Sequence, residues 1–492
     1  MPDEAANPTA AARAPLPVMD RIIAEGRMIK DESQLAYAQD MVSEYAMQVS
    51  EHSLVPGSYT VVAAIKDRIA QIDALMSAQL DEVLHHPAFQ ALESSWRGLH
   101  YLVSQAETGE MMKLRLLNTT LKEITNDLEK AVEFDQSGLF KKIYEDEYGT
   151  FGGNPFSLLL GDFEFGRHPQ DIATLERLSN VAAAAHAPFL AMASPKMFDW
   201  SSFTEMGIPR DLAKGFETAE LIKWRSFRAS EDSRYVSLLL PHFLLRLPYG
   251  PDTVPVEGFN YVEDVDGTDA TKYVWGNAAY ALGERICHAF SLYQWCAAIR
   301  GAEGGGLVEG LPAHTFRTQG GDIALKCPTE VSITDRREKE LSDLGFIALC
   351  HRKGGDQAAF FGAQTTNKPI KYNTAAANAN ARISAQLPYM LAASRFAHYL
   401  KVIMRDKIGS FMTKENVASY LNTWIADYVL LDDSAPQSVK ANYPLREARV
   451  DVFDIPGKPG CYKAVVFLKP HFQLDELTAS VRLVAELPPP AK

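Results

Sequence analysis

Two carboxylates, Asp162 and Glu164, are the residues in this sequence best suited to chemistry. They follow Phe156 to Gly161, an apolar segment that predicts a strand, and α/β active sites gather at the carboxyl ends of strands. A pair of acids there could act as general acid and base. In the structural alternative, they cap the following helix and accept hydrogen bonds from Arg167 or from an arginine of a neighbour. We favour that alternative because no nucleophile or metal-ligand set lies near them in the sequence.

Other catalytic and cofactor motifs are missing from the sequence. It has no GxxxxGK[ST], GxGxxG, HExxH or GxSxG pattern. Asp264, Asp266 and Asp269 are only faintly similar to a calcium loop, and a solvated acidic loop is the better interpretation. The glycines at 304–306 lack a following lysine, so they predict a tight structural turn. No ligand spacing relates the histidines His85, His86, His186, His242 and His351. We therefore predict no catalytic, cofactor or metal site.

Composition and charge exclude several classes of protein. The chain has 492 residues, and 49 basic against 62 acidic side chains give a net charge of −13, which argues against binding nucleic acid. No segment reaches the roughly 18 to 20 apolar residues of a spanning helix, and the first residues do not follow the signal-peptide pattern. The five cysteines are scattered, as in a reducing compartment. We expect a cytoplasmic protein without direct membrane insertion.

The first 110 residues predict a disordered tail followed by helices. Residues 1–16 are rich in alanine and proline and have no apolar period. In residues 17–110, a short helix has Val18, Met19, Ile22 and Ile23 on one face, and a second helix begins after Asp31. The strongest helical period in the chain follows. Its apolar seam needs a partner and consists of Val62, Ile65, Ile69, Ile72, Met76 and Val83.

Residues 111–440 predict a central α/β body. After the strand at 156–161 and a turn at 161–169, the spacing predicts a helix over 171–185 and a strand over 188–193. Strand, helix and strand in about 38 residues form a βαβ unit, which implies parallel strands. Further strands are predicted at 235–240 and 323–325, and helices at 275–292, 381–408 and 413–428. The order of the strands does not follow from the sequence.

Residues 441–492 predict β-structure. Residues 446–454 and 462–468 form two strands around a Pro-Gly turn, and a linker over 469–477 leads to a third strand, Thr478 to Glu486. This last strand is either the edge of its own sheet or is donated to another subunit. One of its faces carries Ala479, Val481, Leu483 and Ala485. The predicted fold class is therefore mixed α/β (α+β), with an N-terminal helical region and C-terminal strands donated to an intersubunit sheet.

Long segments of the sequence resemble the large subunit of the contractile sheath of the bacterial type VI secretion system, the TssC/VipB family. The similarity covers nearly the whole chain, the Ala/Pro-rich start being its least family-like part. It is strongest in GDFEFGRHPQDIATLERLSNVAAAAHAPFLAMASPKMF (161–198), SEDSRYVSLLLPHFLLRLPYG (230–250) and CPTEVSITDRREKELSDLGF (327–346). Further matching segments lie at 296–316, 395–413 and 443–460. No departure breaks the family pattern.

The resemblance implies a structural subunit and a set of partners. The family pairs with a small sheath subunit (TssB/VipA type), and the pairs polymerise as a helical tube around an inner tube of ring protein on a baseplate. Contraction propels the inner tube, and a Clp-class ATPase then recycles the sheath by recognising an N-terminal segment. That segment matches residues 17–28 here, so the resemblance assigns ATPase recognition to Val18, Met19, Ile22 and Ile23.

We expect the small subunit to cover the apolar seam and further copies of the chain to bind the last strand. Two alternatives stay open at this point. One is an α/β enzyme that uses Asp162 and Glu164. The other is a single-chain sheath of the phage-tail type, which would need no small subunit.

Overall fold

A computed structural model describes residues 17–51, 61–208, 211–318, 320–410, 412–457, 461–471 and 473. The chain divides into two compact units, with the boundary between Met76 and Ser77. The predicted tail at residues 1–16 and the predicted strand at residues 478–486 lie outside the described residues. None of the described helices has the length and the apolar character of a membrane-spanning segment.

Helices make up much of the described chain. They are α1 (Val18–Glu25), α2 (Leu35–Glu51), α3 (Val61–Leu84), α4 (Pro87–Gln105), α5 (Leu121–Lys130), α6 (Gly138–Phe140), α7 (Pro169–Ala185), α8 (Leu212–Gly215), α9 (Ile222–Ala229), α10 (Ala278–Tyr293), α11 (Asp335–Asp343), α12 (Ala375–Ile383), α13 (Leu387–Asp406), α14 (Lys414–Ala426) and α15 (Gln437–Asn442).

The described strands form one larger sheet and three two-stranded ones. They are β1 (Leu159–Phe165), β2 (Phe189–Ala193), β3 (Val236–Leu240), β4 (Phe243–Leu244), β5 (Trp275–Gly276), β6 (Leu307–Val308), β7 (Thr315–Arg317), β8 (Ile323–Leu325), β9 (Phe346–His351), β10 (Ala358–Phe360), β11 (Leu445–Asp454) and β12 (Tyr462–Pro470). The larger sheet has the order β1-β2-β3-β9-β10-β6, and the pairs are β4–β5, β7–β8 and β11–β12. Together with the helices, these strands confirm the mixed α/β class.

The first unit is helical, as the sequence predicts. Helix α1 packs on α2 and buries Ile23. The Asp31 carboxylate accepts from the Ser33 backbone N–H and begins the turn that leads into α2. Helix α3 covers the predicted seam. It includes the backbone of Val62, whose side chain lies outside the described part.

The βαβ unit of the second unit is confirmed. Strands β1, β2 and β3 pair in parallel, and β9 continues the parallel set beside β3. Helix α7 crosses from β1 to β2, and it begins where His168 Nδ1 accepts from the Gln170 N–H, with Pro169 in the first turn. Beyond β9 in the sheet, β10 pairs antiparallel with β9, and β6 pairs antiparallel with β10.

The predicted bounds of the first strand were wrong. The strand is Leu159–Phe165, so Asp162 and Glu164 lie within it and not in a turn after it. Its register with β2 shifts between Leu160 and Glu164. An irregularity of this kind lets polar side chains sit in an otherwise apolar strand, which hides the strand from a search for alternating residues.

Both faces of the central sheet are covered, because alternate residues of one strand enter different cores. In β3, Leu238 and Leu240 belong to the core that contains α7 and α9. Leu239, between them, belongs to the core that contains α10. Burial on both faces explains why β3 is apolar at every position except Ser237.

The third core joins α13 and α14 to the antiparallel hairpin of β11 and β12. Trp295 stacks on Phe396, with ring centroids 4.4 Å apart. The prediction for the following linker was wrong at its start, because Lys469 and Pro470 belong to β12. Beyond the strand, Gln473 is fixed to the body: its N–H donates to Tyr389 Oη at 3.1 Å, and its side-chain amide donates to the Ala297 carbonyl at 2.8 Å.

Candidate functional site

Glu164 is part of an ionic cluster that the sequence did not predict. His242 Nε2 lies 2.9 Å from Glu164 Oε1, and His242 Nδ1 lies 2.6 Å from Glu330 Oε2. Glu330 also accepts from the Ser202 hydroxyl and the Phe203 N–H. The three ionic groups come from β1, from the segment after β3 and from the segment before α11. We call them the His242 cluster.

The charges of the His242 cluster follow from its geometry. Burial opposes a charge on His242, but hydrogen bonds to the two carboxylates outweigh it and raise the pKa to about 9. Burial also opposes the carboxylates, but the His242 hydrogen bonds lower the pKa of Glu164 and of Glu330. At neutral pH the cluster is one imidazolium between two carboxylates. That arrangement holds three segments together and offers no free acid–base pair.

The predicted capping role of the two acids was wrong. Asp162 accepts from Asn277 Nδ2 at 3.3 Å, next to α10. The turn before α7 is fixed by Asp171, whose carboxylate accepts from the Gly166 N–H at 2.9 Å. Arg167 pairs with two other acids, Asp199 at 3.2 Å and Glu220 at 3.0 Å.

A second ionic cluster fixes α4 to the segment after β4. Arg246 binds Glu93 of α4 at 2.7 Å and Glu263 at 2.7 and 3.0 Å. Glu263 also accepts from the Tyr249 N–H. Burial opposes the charge on Arg246, but the hydrogen bonds to both acids outweigh this effect and raise its pKa above the ordinary value. Glu93 lies 153 residues from Arg246 and Glu263 lies 17 residues from it, so no local pattern could have revealed this cluster.

The acidic loop and the glycine run have local structural roles. Asp266 accepts from Thr268, and Asp269 from Thr271, while Asp264 binds Lys272 at 2.6 Å. Gly305 has φ +92°, and an added Cβ would lie 2.2 Å from the Ala298 carbonyl oxygen, so the turn requires glycine. Among the described residues, no group of three or more His, Cys, Asp or Glu side chains could hold a metal ion.

The predicted apolar seam of α3 is exposed in the described chain. Ile65, Ile69, Ile72, Met76 and Val83 are each between 42% and 51% exposed. Helix α4 presents a second exposed stripe that sequence reasoning missed: Phe89, Leu92, Trp96 and Val103 repeat at heptad spacing, opposite Gly98 and Leu102, which are buried. The heptad spacing in the sequence was the signal that could have revealed it.

The residues assigned to ATPase recognition divide between the two sides of α1. Ile23 is fully buried, whereas Val18 and Ile22 are exposed and Met19 is half-buried. The four residues therefore do not share one accessible face. Any partner that binds α1 as it is folded here meets Val18 and Ile22.

The two edges of the β11–β12 hairpin differ. On β11, the Asn422 side chain of α14 donates to the Val450 carbonyl at 2.8 Å and accepts from the Val450 N–H at 2.9 Å. The start of β11 is also covered, because the Leu445 N–H donates to Tyr428 and its carbonyl accepts from Leu430. Alternate residues of an antiparallel strand point their polar groups to the same edge. Ala448, Val450 and Val452 pair with Leu468, Val466 and Ala464 of β12. The backbone N–H and carbonyl groups of these three β12 residues therefore point to the outer edge of β12, away from β11.

Comparisons with known proteins agree on one family. Residues 66–367 match the tail sheath N-terminal domain of EvpB/VC_A0108, and residues 376–487 match its tail sheath gpW/gp25-like domain. The chain is 48% identical over 457 residues to the type VI secretion system sheath protein TssC1 of Pseudomonas aeruginosa PAO1, and the match covers 92% of each protein.

The comparison with solved structures gives weaker matches, to proteins of contractile injection systems. The contracted PVC sheath complex has a TM-score of 0.35 and 9% identity over 63% of this chain and 68% of its own. The anti-feeding prophage baseplate has a TM-score of 0.37 and 10% identity over 76% and 83%. The sequence matches carry the assignment. The chain therefore belongs to the EvpB/VC_A0108 tail-sheath family, and it is a structural subunit of a type VI secretion contractile sheath and not an enzyme.

Proposed function

We propose that the chain is the large sheath subunit, that it pairs with a small subunit of the TssB/VipA type, and that the pairs polymerise around an inner tube of ring protein on a baseplate. Contraction of this polymer propels the inner tube. The observation that carries the proposal is the outer edge of β12, beside which no strand lies among the described residues. An open helical polymer needs contacts between different patches of successive copies, and a strand that adds to an edge supplies one.

Strand addition to β12 is favoured over addition to β11. The polar groups of Val450 are already bound by Asn422, and Leu445 is bound to the segment at 428–430. The outward N–H and carbonyl groups of Ala464, Val466 and Leu468 face away from the hairpin. A strand from another copy gives them partners without displacing any strand pairing of the described residues.

The donated strand of this proposal is Thr478 to Glu486, with Ala479, Val481, Leu483 and Ala485 on one face. Its nine residues match the length of β12, Tyr462–Pro470. Four or five main-chain hydrogen bonds at about 0.5 to 1.5 kcal/mol each contribute about 2 to 7 kcal/mol before the cost of ordering the strand. This is modest for one contact and large for a tube built from many.

A matched pair of proline substitutions tests the edge. Ala464→Pro removes an outward N–H from β12, and Ala448→Pro removes the equivalent group from β11, and proline is tolerated where an N–H faces away from the sheet. With the small subunit coexpressed, electron microscopy is expected to show tubes for Ala448→Pro and only soluble heterodimers for Ala464→Pro. Deletion of residues 478–492 is expected to behave like Ala464→Pro. Normal tubes from Ala464→Pro would overturn the choice of edge, and normal tubes from the deletion would overturn strand donation.

The small subunit of this proposal binds the seam of α3, which consists of Val62, Ile65, Ile69, Ile72, Met76 and Val83. Exposed apolar residues at heptad spacing are typical of a helix that packs against a partner helix. Ile69→Asp is expected to abolish copurification of the two subunits, whereas Asp67→Asn, a change to an exposed residue of the same helix, leaves it intact. Tubes formed by the large subunit alone would favour the single-chain alternative.

The ATPase of this proposal recognises α1 after contraction. Because Val18 and Ile22 are exposed and Ile23 is buried, we assign first contact to Val18 and Ile22, with Met19 beside them. Ile23 becomes available only if α1 leaves α2. Ile22→Asp is expected to prevent disassembly of contracted sheaths by the Clp-class ATPase, with Arg21→Ala as the control on the same exposed side. Unchanged disassembly of Ile22→Asp would contradict the assignment.

A further inference from the structure

Residues 113–119, between α4 and α5, form an exposed segment that lies outside every sheet of the described chain. The chain runs through these residues without helix, turn or bend, so the segment is extended. Among the described residues, none of its backbone N–H or carbonyl groups takes part in a hydrogen bond. At about 3.3 Å per residue, the segment spans about 23 Å, the length of an ordinary strand. It therefore has the backbone of a β-strand whose neighbour is not in the described chain.

The segment is fixed at both ends and in its middle. Just before its start, Met112 packs against the small core that contains Leu102 of α4. In its middle, Arg115 forms an ion pair with Glu147. Directly after its end, Thr120 begins the capping box of α5. Because these contacts already hold the segment extended, it loses little conformational freedom when a partner strand binds.

Exposed leucines distinguish the segment from a solvated loop. Successive side chains of an extended segment point to opposite faces, so Leu114 and Leu116 lie on the face opposite Arg115 and its partner Glu147. Leu114 is 38% exposed and Leu116 is 69% exposed. Leu117, on the same face as Arg115, is 49% exposed. Surface loops are rich in polar turn residues, whereas exposed leucines close together are typical of a surface that a partner covers.

The place of the segment in the chain favours the small subunit as its partner. Helix α4, which leads into the segment, carries the exposed stripe of Phe89, Leu92, Trp96 and Val103. Helix α3, directly before α4, carries the seam that we assign to the small subunit. Three consecutive elements thus present exposed apolar side chains. Antiparallel pairing of the segment with its own copy is disfavoured, because such a pair is a two-fold contact that closes, whereas an open helical polymer needs contacts between different patches.

We propose that residues 113–119 pair, as a β-strand, with an edge strand of the small subunit, so that the two chains share one sheet. This inference rests on the proposed pairing of the large and small subunits. The N–H and carbonyl groups along one edge of the segment form main-chain hydrogen bonds with the partner strand. Leu114 and Leu116 pack against apolar side chains at alternate positions of that strand. The heterodimer is then held by backbone hydrogen bonds in addition to the apolar contacts of α3.

Hydrogen exchange in the copurified heterodimer, with the full-length chain, tests this pairing. Alternate N–H groups of a strand point to opposite edges, so about half of the amides of residues 113–119 face the partner strand. We expect these amides to exchange at least about tenfold more slowly than in the urea-unfolded chain, as read by peptide mass spectrometry. Exchange at the unfolded rate in a heterodimer that copurifies overturns this inference alone and leaves the pairing of the subunits intact. Protection that arises only after the heterodimers polymerise assigns the segment to another copy and also overturns it.

A substitution on the outward face of the segment tests the side-chain contacts. Leu116→Asp places a charge where the partner strand packs and is expected to lower the amount of copurified small subunit about tenfold. Val132→Asp, at a residue next to α5 that is 86% exposed, is the control and leaves copurification unchanged. Unchanged copurification of Leu116→Asp, with a circular dichroism spectrum like that of the wild type, contradicts the inference. Wild-type chains that do not copurify refute the subunit pairing and this inference together.

Discussion

Substitution of His242 by glutamine tests whether its charge stabilises the fold. The imidazolium lies between Glu164 and Glu330, and their hydrogen bonds raise its pKa from 6.5 to about 9 against the effect of burial. At about 1.4 kcal/mol for each tenfold change, this difference corresponds to about 3 kcal/mol. The Glu164 side chain is 45% exposed, so solvent screens part of its share. We therefore expect a contribution of about 2 to 3 kcal/mol to the free energy of unfolding.

The sign of the pH dependence follows from the direction of the shift. Because folding raises the pKa of His242, its contribution is complete below about pH 6.5 and is lost as the pH rises through about 9. The pKa values of Glu164 and Glu330 are lowered by folding, so their contribution is present above their ordinary value of 4.5 and is lost in acid. The His242 cluster is thus most stabilising between about pH 5 and pH 7.

Urea unfolding at several pH values measures this effect. Tryptophan fluorescence reports on unfolding of the core next to the His242 cluster. Trp200 and Trp224 are buried in this core, and Phe203 of the same core contacts the His242 ring. The difference in free energy of unfolding between the wild type and His242→Gln is expected to be about 2 to 3 kcal/mol larger at pH 6 than at pH 9.5. His100→Gln, at an exposed histidine, is the control. A difference of equal size at both pH values would refute the reasoning.

Three further substitutions address packing and helix capping. Gly98→Ala places a Cβ 2.5 Å from the Tyr280 ring and is expected to lower the free energy of unfolding, measured with urea, by about 1 to 3 kcal/mol. Gly109→Ala, whose Cβ meets no atom within 4 Å, is the control and changes stability little. Equal effects of the two substitutions would contradict the close approach at Gly98. Thr120→Ala removes the capping box of α5 and should cost about 1 kcal/mol by the same measurement, and an unchanged midpoint would contradict it. Phe396→Ala empties a fully buried site and is expected to cost about 3 to 5 kcal/mol, so a loss below 1 kcal/mol would argue against the third core.

Local sequence patterns predicted much of the fold. The helices α2, α3 and α7, the strands β2 and β3 and the hairpin of β11 and β12 were found from apolar period and turn residues. Strand order was out of reach because β3 pairs with β9, about 100 residues later. The end of β1 was misplaced because the strand continues past its register irregularity through Asp162 and Glu164.

The polar clusters could not be predicted for a similar reason. His242 meets partners 78 and 88 residues away, and no spacing rule connects such distant positions. The proposed assembly surfaces differ from these clusters, since a seam or an edge belongs to a single helix or strand. The α3 seam was predicted on that basis, and the α4 stripe could have been. The choice between the edges of the hairpin depends on Asn422, which only the tertiary structure places beside Val450.

The attachment of His471 and Gln473 determines how the protein would respond to tension. The His471 N–H donates to the Pro444 carbonyl, the His471 carbonyl accepts from Tyr389, and Gln473 is bonded to Tyr389 and Ala297. A load applied to the chain beyond Gln473 meets these bonds before it reaches β12. Helix α13, which carries Tyr389, receives the load, and the hairpin is not unzipped from its end. A pull on the C-terminal segment is therefore transmitted to Tyr389 of α13 and to the Ala297 backbone.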